Sequence, residues 1–417
     1  MTTSPATATA AGADDVAGLV GLPTGRPRLV LLLGALSAFG PMSLDMYLPG
    51  FPVLARDLHT TAAPVQLTIT SCLVGLAAGQ VLAGPLSDRF GRRRPLVAGL
   101  LLYAVASLLC AGAPGIGALV GLRLLQGLGG SAGIVVARAV VRDLYSGIEA
   151  ARFFALLMLV NGLAPILAPL FGAQVLHVAG WRAVFVVLTG FGLLLAVLVS
   201  LGLPETLPPE RRQPGGVRST LGTFGRLLRD RAFLGCALSA GFVFGSLFAY
   251  IAGSSFVLQT KYGLSPQTFS LVFGGNAFGL IAASQVSARV VGRYGPRALL
   301  TTGIVISAVG AAALLLSVLL DFGLPAVLPS LLLVVMSVGL VAPNAAALAL
   351  AGHPRTAGSA SALLGLAQYI VGGLAAPLVG LAGSGSAVPL AVVVAVSSAA
   401  AVLTRVLVLS PAARQTA

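Results

Sequence analysis

The stretch Gly84-Pro85-Leu86-Ser87-Asp88-Arg89-Phe90-Gly91-Arg92-Arg93-Arg94 decides what kind of molecule this is. It packs four arginines and an aspartate into eleven residues, and uncharged runs flank the charges, 64–86 before and 95–113 after. At about 1.5 Å of rise per residue, helices of that length cross the roughly 30 Å hydrocarbon core of a bilayer. The cluster therefore reads as a tight turn between two membrane spans, with Gly91 making the turn and the arginines holding the loop on the cytoplasmic side.

The same pattern continues outward. Twelve apolar runs reach spanning length: 29–49, 64–86, 95–113, 116–140, 152–177, 182–203, 232–258, 267–291, 298–320, 325–350, 358–382 and 387–409. Of the 417 residues 57% are hydrophobic and 9% charged, with a mean hydropathy of +1.00. A soluble domain carries about 25% charged residues, so this chain is built for lipid. The net charge of +14 follows from topology, and nucleic acid is not the expected partner. With the amino terminus inside, only Arg56, Arg182 and Lys261 fall on the outer side and Arg123 within a span; every other cation lies on the inner face. Both termini are thus expected in the cytoplasm, with a disordered tail over 1–25 that lacks the layout of a signal peptide. Cys72, Cys110 and Cys236 sit in apolar runs as packing thiols, and no spacing suggests a metal site or disulfide framework. His59, His177 and His353 lie between spans.

The longest polar segment, 204–231, divides the spans six and six, and its "TFGRLLRD" suggests a short amphipathic helix on the membrane surface. Arg89-Phe90-Gly91-Arg92-Arg93 recurs as Arg293-Tyr294-Gly295-Pro296-Arg297 at an offset of 204 residues. The second copy has Gly292 where the first has Asp88. An internal repeat of this kind is the sequence sign of a transporter that rocks about a site between its halves. The expected fold is an all-α polytopic membrane protein of 12 transmembrane helices in two pseudo-symmetric six-helix bundles, 26–203 and 232–409. The linker joins them, and 410–417 forms a cytoplasmic tail.

Within the spans, "SLDMYLP" (43–49) and "RLLQGLGG" (123–130) carry the charges: Asp45 is the one acid and Arg123 the one base in the body of any span. An intramembrane acid costs about 2.5–3.5 kcal/mol on insertion scales, which marks it as functional. Arg123 has two readings, a structural tie to a carbonyl or amide, or a place beside Asp45 in a central cavity where it governs the proton. The "GLGG" has no strand before it and is not a dinucleotide site. In the fifth span Asn161, Pro165, Pro169 and Gly172 share one face, which loosens the helix and admits a close neighbour.

Taken together, "GPLSDRFGRRRP", "SLDMYLP", "RLLQGLGG", "NGLAPILAP", "GWRAVF" and "PETLPPERRQP" resemble the major facilitator superfamily, and within it the bicyclomycin and chloramphenicol resistance branch of drug–proton antiporters. The resemblance implies export of small antibiotics against protons across the bacterial inner membrane, with Asp45 and Arg123 coupling the proton. It also implies a gating latch of Gly84, Asp88, Arg89, Gly91 and Arg92, with Asp88 against the start of span eleven near Gly358 and Arg92 reaching Asp143. The antiporter signature maps to Gly162, Pro165, Pro169 and Gly172, with Ala164 and Ala168 where glycine is commoner. Met42, Phe242, Phe248 and Tyr250 are candidates for an adaptable cavity wall, and Asn161, Asn276, Asn344 and Gln368 for neutral hydrogen bonds. Small neutral or zwitterionic drugs and the proton are the expected partners of a monomer in lipid, without cofactor, metal or ATP. The single lysine, Lys261, lacks the glycine pattern of a P-loop, and no nucleophile–base pair suggests an enzyme. A facilitator for a small metabolite is the competing expectation.

Overall fold

The computed structural model describes residues 27–145, 147–212, 217–353, 356–381 and 385–409; among them the chain is helical and forms no strand. The first span is broken where the sequence suggests one helix over 29–49. Helix α1 (Pro27–Ser37) meets α2 (Phe39–Asp45) at a bend, and the two segments of the span lie 42° apart. Pro41 is the cause, because its ring crowds the carbonyl four residues back, that of Ser37, and it has no N–H to give it. A 3-10 turn, Leu48–Gly50, then leads into α3 (Phe51–Asp57).

Helices α4 (Ala62–Phe90), α5 (Arg93–Ala111) and α6 (Ile116–Leu144) make spans two to four. Helix α7 (Gly147–Gly202) holds 56 residues, about 84 Å at the helical rise and far too long for one crossing. Gly180, at φ 77°, divides it into spans five and six. Helix α8 (Val217–Leu227) lies in the linker, and α9 (Arg231–Phe256) is capped by the Asp230 carboxylate, which accepts from the N–H groups of Ala232 and Phe233. Helix α10 (Pro266–Leu319) is likewise two spans, divided at Gly295 with φ 77°. Helices α11 (Leu324–Ala351), α12 (Ala357–Leu378) and α13 (Val388–Thr404) complete twelve crossings in two bundles of six.

The linker helix departs from the expected surface-lying one. Phe224 and Leu227 are buried against α4, α12 and the core of the second bundle, so its apolar face is spent on protein rather than lipid.

Close helix approach explains several glycines. A methyl group on Gly127 of α6 would run into the Cys72 carbonyl of α4, and one on Gly75 into the Leu124 carbonyl. The two bundles meet along α4 and α12 and along spans five and eight. On the face bearing the 58–61 connection a seam of hydrogen bonds joins them. Ser255 donates to the Leu48 carbonyl (2.6 Å), Gln259 to that of Pro49 (3.2 Å) and Gln66 to that of Ala252 (3.2 Å). Thr70 donates to the Gly373 carbonyl (2.7 Å) and Ser270 to that of Pro169 (3.0 Å). The molecule is closed on that face.

Candidate functional site

Asp45 ends α2 at the break in the first span and is only 5% exposed. Among the described residues no hydrogen bond or ion pair reaches its carboxylate. It lies close enough to Tyr250, in the other bundle, for the two to interact electrostatically. Tyr250 stacks on Phe273 at 5.4 Å and its hydroxyl accepts from the Asn276 amide at 2.9 Å. Asp45, Tyr250, Asn276 and Phe273 thus gather at the interface of the halves.

Arg123 makes the contacts that the first of its two readings expects, to a carbonyl and an amide. It is fully buried inside the first bundle, donating to the Ser43 carbonyl at 2.8 Å and to the Gln126 amide oxygen. Its guanidinium stacks over Tyr47 at 4.4 Å and stands 5.7 Å from the Phe185 ring. It makes no ion pair with Asp45. The Gln126 amide continues to Ser107 (2.7 Å), and Ser43 shares a hydrogen bond with Tyr103 (2.8 Å). Arg123 is the centre of a polar network that fixes the backbone two residues before Asp45.

Other candidates disperse. Asn161 donates to the carbonyl of Leu157 in its own helix, and Asn344 ties α11 to Ser287 at 2.8 Å. Phe242 packs half-buried against the inner core of the second bundle and Met42 against the larger core. Phe248 presses on Gly372 of α12 near Tyr369, and Gln368 is half-buried.

At the opposite, arginine-rich face, Arg92 is the hub. Its Nε donates to Asp143 at 2.8 Å, and Nη1 reaches Asp88 and Ser87. Burial works against the Arg92 charge, but these carboxylates outweigh it and hold its pKa above the usual value. Glu205, which the sequence reading quoted but gave no role, accepts the N–H groups of Arg92 (2.8 Å), Arg93 (3.2 Å) and Leu207 (3.0 Å). Burial alone would push its carboxyl up; those donors and Arg212 nearby bring it below the ordinary range. Asp88 thus turns to Arg92, whereas the expected partner surface at Gly358 lies among residues whose side-chain surroundings are not described.

The profile of the Major Facilitator Superfamily matches residues 31–377. The chain belongs to that superfamily. Over 380 residues it is 42% identical to an uncharacterized MFS-type transporter, YdgK, of Bacillus subtilis, covering 90% of this chain and 94% of the other. A bicyclomycin resistance protein homolog of Haemophilus influenzae is 34% identical, with 84% and 88% covered. A chloramphenicol resistance protein of Pseudomonas aeruginosa is 36% identical over 66% of this chain and 64% of its own. Those names are consistent with the bicyclomycin and chloramphenicol resistance branch. The fold is shared with the inward-facing, occupied crystal structure of a bacterial homolog to the human lysosomal transporter Spinster (TM-score 0.71, 16% identity, 92% and 94% covered). A D-xylose–proton symporter shares it too (TM-score 0.66, 15% identity, 90% and 95% covered).

In this superfamily member the fifth span is the partner of the eighth. A methyl group on Gly162 would press on Ile281, and one on Gly172 would overlap the Met46 carbonyl, next to Asp45. The pair Ser255 and Gln259 was legible as two polar residues one turn apart in an apolar span, yet sequence reasoning passed over it. Among the described residues no three His, Cys, Asp or Glu gather as a metal site.

Proposed function

We propose that this chain exports small antibiotics in exchange for protons, with Asp45 as the group on which proton and drug compete. One observation carries the reading. Asp45 is a buried carboxylate at the break of the first span, without a hydrogen bond or ion pair among the described residues and close enough to Tyr250 of the opposite bundle to interact electrostatically. A lone carboxylate away from water carries a desolvation cost that a bound proton or a hydrogen-bonding substrate relieves. Two occupants that exclude each other on one group are the minimum that exchange requires. The Asn276–Tyr250 pair supplies neutral donors beside it, and Phe273 an apolar face. In this scheme the hydrogen-bonded seam on the 58–61 face blocks one side, and the site exchanges with the arginine-rich face, the side we read as the cytoplasm of a bacterial inner membrane with both termini there.

In this scheme Arg123 is a positioning residue that holds the Ser43 carbonyl, and Asp88, Arg92 and Asp143 form the latch that rearranges as the halves rock. A single acid in the spans carries one proton per cycle. Exchange of that proton for a neutral drug moves one charge inward, worth about 2.3 kcal/mol per 100 mV, while a dication would be opposed. Neutral or zwitterionic compounds such as amphenicols and bicyclomycin are therefore the substrates, in keeping with the names of two relatives. The test is proton movement in everted vesicles with an acidified interior. Chloramphenicol, florfenicol or bicyclomycin should release protons from vesicles holding the wild type and not from Asp45→Asn at matched expression. Release that survives in Asp45→Asn would move the proton elsewhere. Transport that persists without any proton gradient would make the protein a facilitator.

A further inference from the structure

On the arginine-rich face each bundle has a groove that opens toward lipid. The first, about 620 Å³, is lined by Arg93, Arg94, Arg212, Glu205, Phe90 and Leu101, among others. The second, about 670 Å³, is lined by Tyr294, Arg297, Thr301, Thr302, Val305 and Arg405, among others. The 204-residue offset of the internal repeat carries Phe90 onto Tyr294, Arg93 onto Arg297 and Leu101 onto Val305. It also carries the Arg89–Phe90 cation–π contact (5.1 Å) onto that of Arg293 with Tyr294 (5.4 Å). The two grooves therefore repeat a rim ring, an arginine and an apolar wall at the start of spans three and nine, while their other arginines, Arg94 and Arg212 in the first and Arg405 in the second, are supplied separately.

We propose that each groove binds the headgroup of an anionic phospholipid. Each groove is basic at the end near water and apolar along its wall, which is the polarity of a phospholipid and not that of a free anion. The aromatic rings at the rim, 45% and 57% exposed, sit where ring side chains meet the headgroup layer. Donors are available. Among the described residues the buried Nε of Arg212 has no hydrogen-bond partner, and no hydrogen bond or ion pair reaches the Arg94 or Arg297 side chain. Glu205 offsets only part of the first groove's charge, because Arg93, Arg94 and Arg212 stand against that one carboxylate and leave the lining net positive. In the second, Arg405 is steadied by a 3.0 Å bond from its Nε to Thr301, which leaves the rest of its guanidinium fork for a phosphate.

The test is native mass spectrometry of the purified full chain in detergent, titrated with phosphatidylglycerol or with phosphatidylcholine of the same acyl chains. The wild type should hold two phosphatidylglycerols in preference to phosphatidylcholine. Arg94→Gln with Arg212→Gln should weaken one of them about thirtyfold, the worth of two basic side chains at a membrane surface. Arg297→Gln with Arg405→Gln should weaken the other. The corresponding double Lys variants should keep both, which separates lost charge from lost folding, and Arg229→Gln should change nothing. Undiminished binding of two phosphatidylglycerols by a monodisperse quadruple Gln variant would overturn the proposal. So would equal binding of phosphatidylcholine, or displacement of the lipid by millimolar inorganic phosphate.

Discussion

Arg123→Gln separates two ways a buried cation can serve a transporter. The guanidinium makes two charge-assisted hydrogen bonds, to Ser43 and Gln126, and stacks on Tyr47 at 4.4 Å. Bonds of that type contribute about 1.5–3 kcal/mol each and a desolvated cation–π contact about 2 kcal/mol. Burying the charge costs several kcal/mol in return, so the net loss on substitution is about 2–4 kcal/mol. The sharper prediction concerns pH. If Arg123 held Asp45 by charge, its removal would shift the pH midpoint of drug-induced proton release toward alkaline by about one unit or more. With no contact between the two, the amplitude of release should fall while the midpoint stays put. Arg123→Lys keeps the charge but loses the planar fork, and should behave like the Gln variant. The assay is proton release from everted vesicles at several external pH values, with melting in detergent alongside. A midpoint displaced by a unit at full amplitude, or full rescue by lysine, would refute the positioning role.

Glu205→Gln should lower stability in detergent by about 1–2 kcal/mol, a figure kept small because the side chain is largely exposed. Its folded pKa is depressed, so this contribution is present above the unfolded value of 4.5 and lost as pH falls below it; the variant should have the flatter acid limb in a melting series. Gly172→Ala should drive a methyl into the Met46 carbonyl and cost about 1–3 kcal/mol, with transport lost more steeply than folded protein. Replacing Ser255 and Gln259 together by Ala removes two bonds across the seam. A cysteine placed at Thr70 should then react at least about fivefold faster with an impermeant maleimide added from the 58–61 side, given roughly 0.5–1.5 kcal/mol per bond.

Most of the fold was legible because lipid leaves the sequence few options: apolar length gives the spans, and the 204-residue repeat gives the halves. The break in span one was legible too, in Pro41, but a run of apolar residues conceals a kink that only the missing N–H reveals. Asp45 announces itself in the sequence as an acid inside an apolar run, and it ends the helix at the break of the first span. The contacts of Arg123 are not legible in that way, since its anchor is a backbone carbonyl, and every residue owns one, so no side-chain pattern announces it. The contacts of Asn161 and Asn344 are hidden for a related reason: an amide in a helix is as readily satisfied by its own or a neighbouring helix as by a cavity.

The seam and the latch are made of different materials. Across the seam every bond named runs from a neutral hydroxyl or amide to a carbonyl, whereas the latch joins arginine to carboxylate. Ionic strength screens the second kind and leaves the first almost untouched. In the orientation proposed, the seam meets the surroundings of the cell, where salt and acidity swing widely, and the latch meets the cytosol, where both are regulated. A bacterium carried from fresh water to brine would find its outer door equally hard to open, while the charged contacts on the inner side answer only to conditions the cell itself sets.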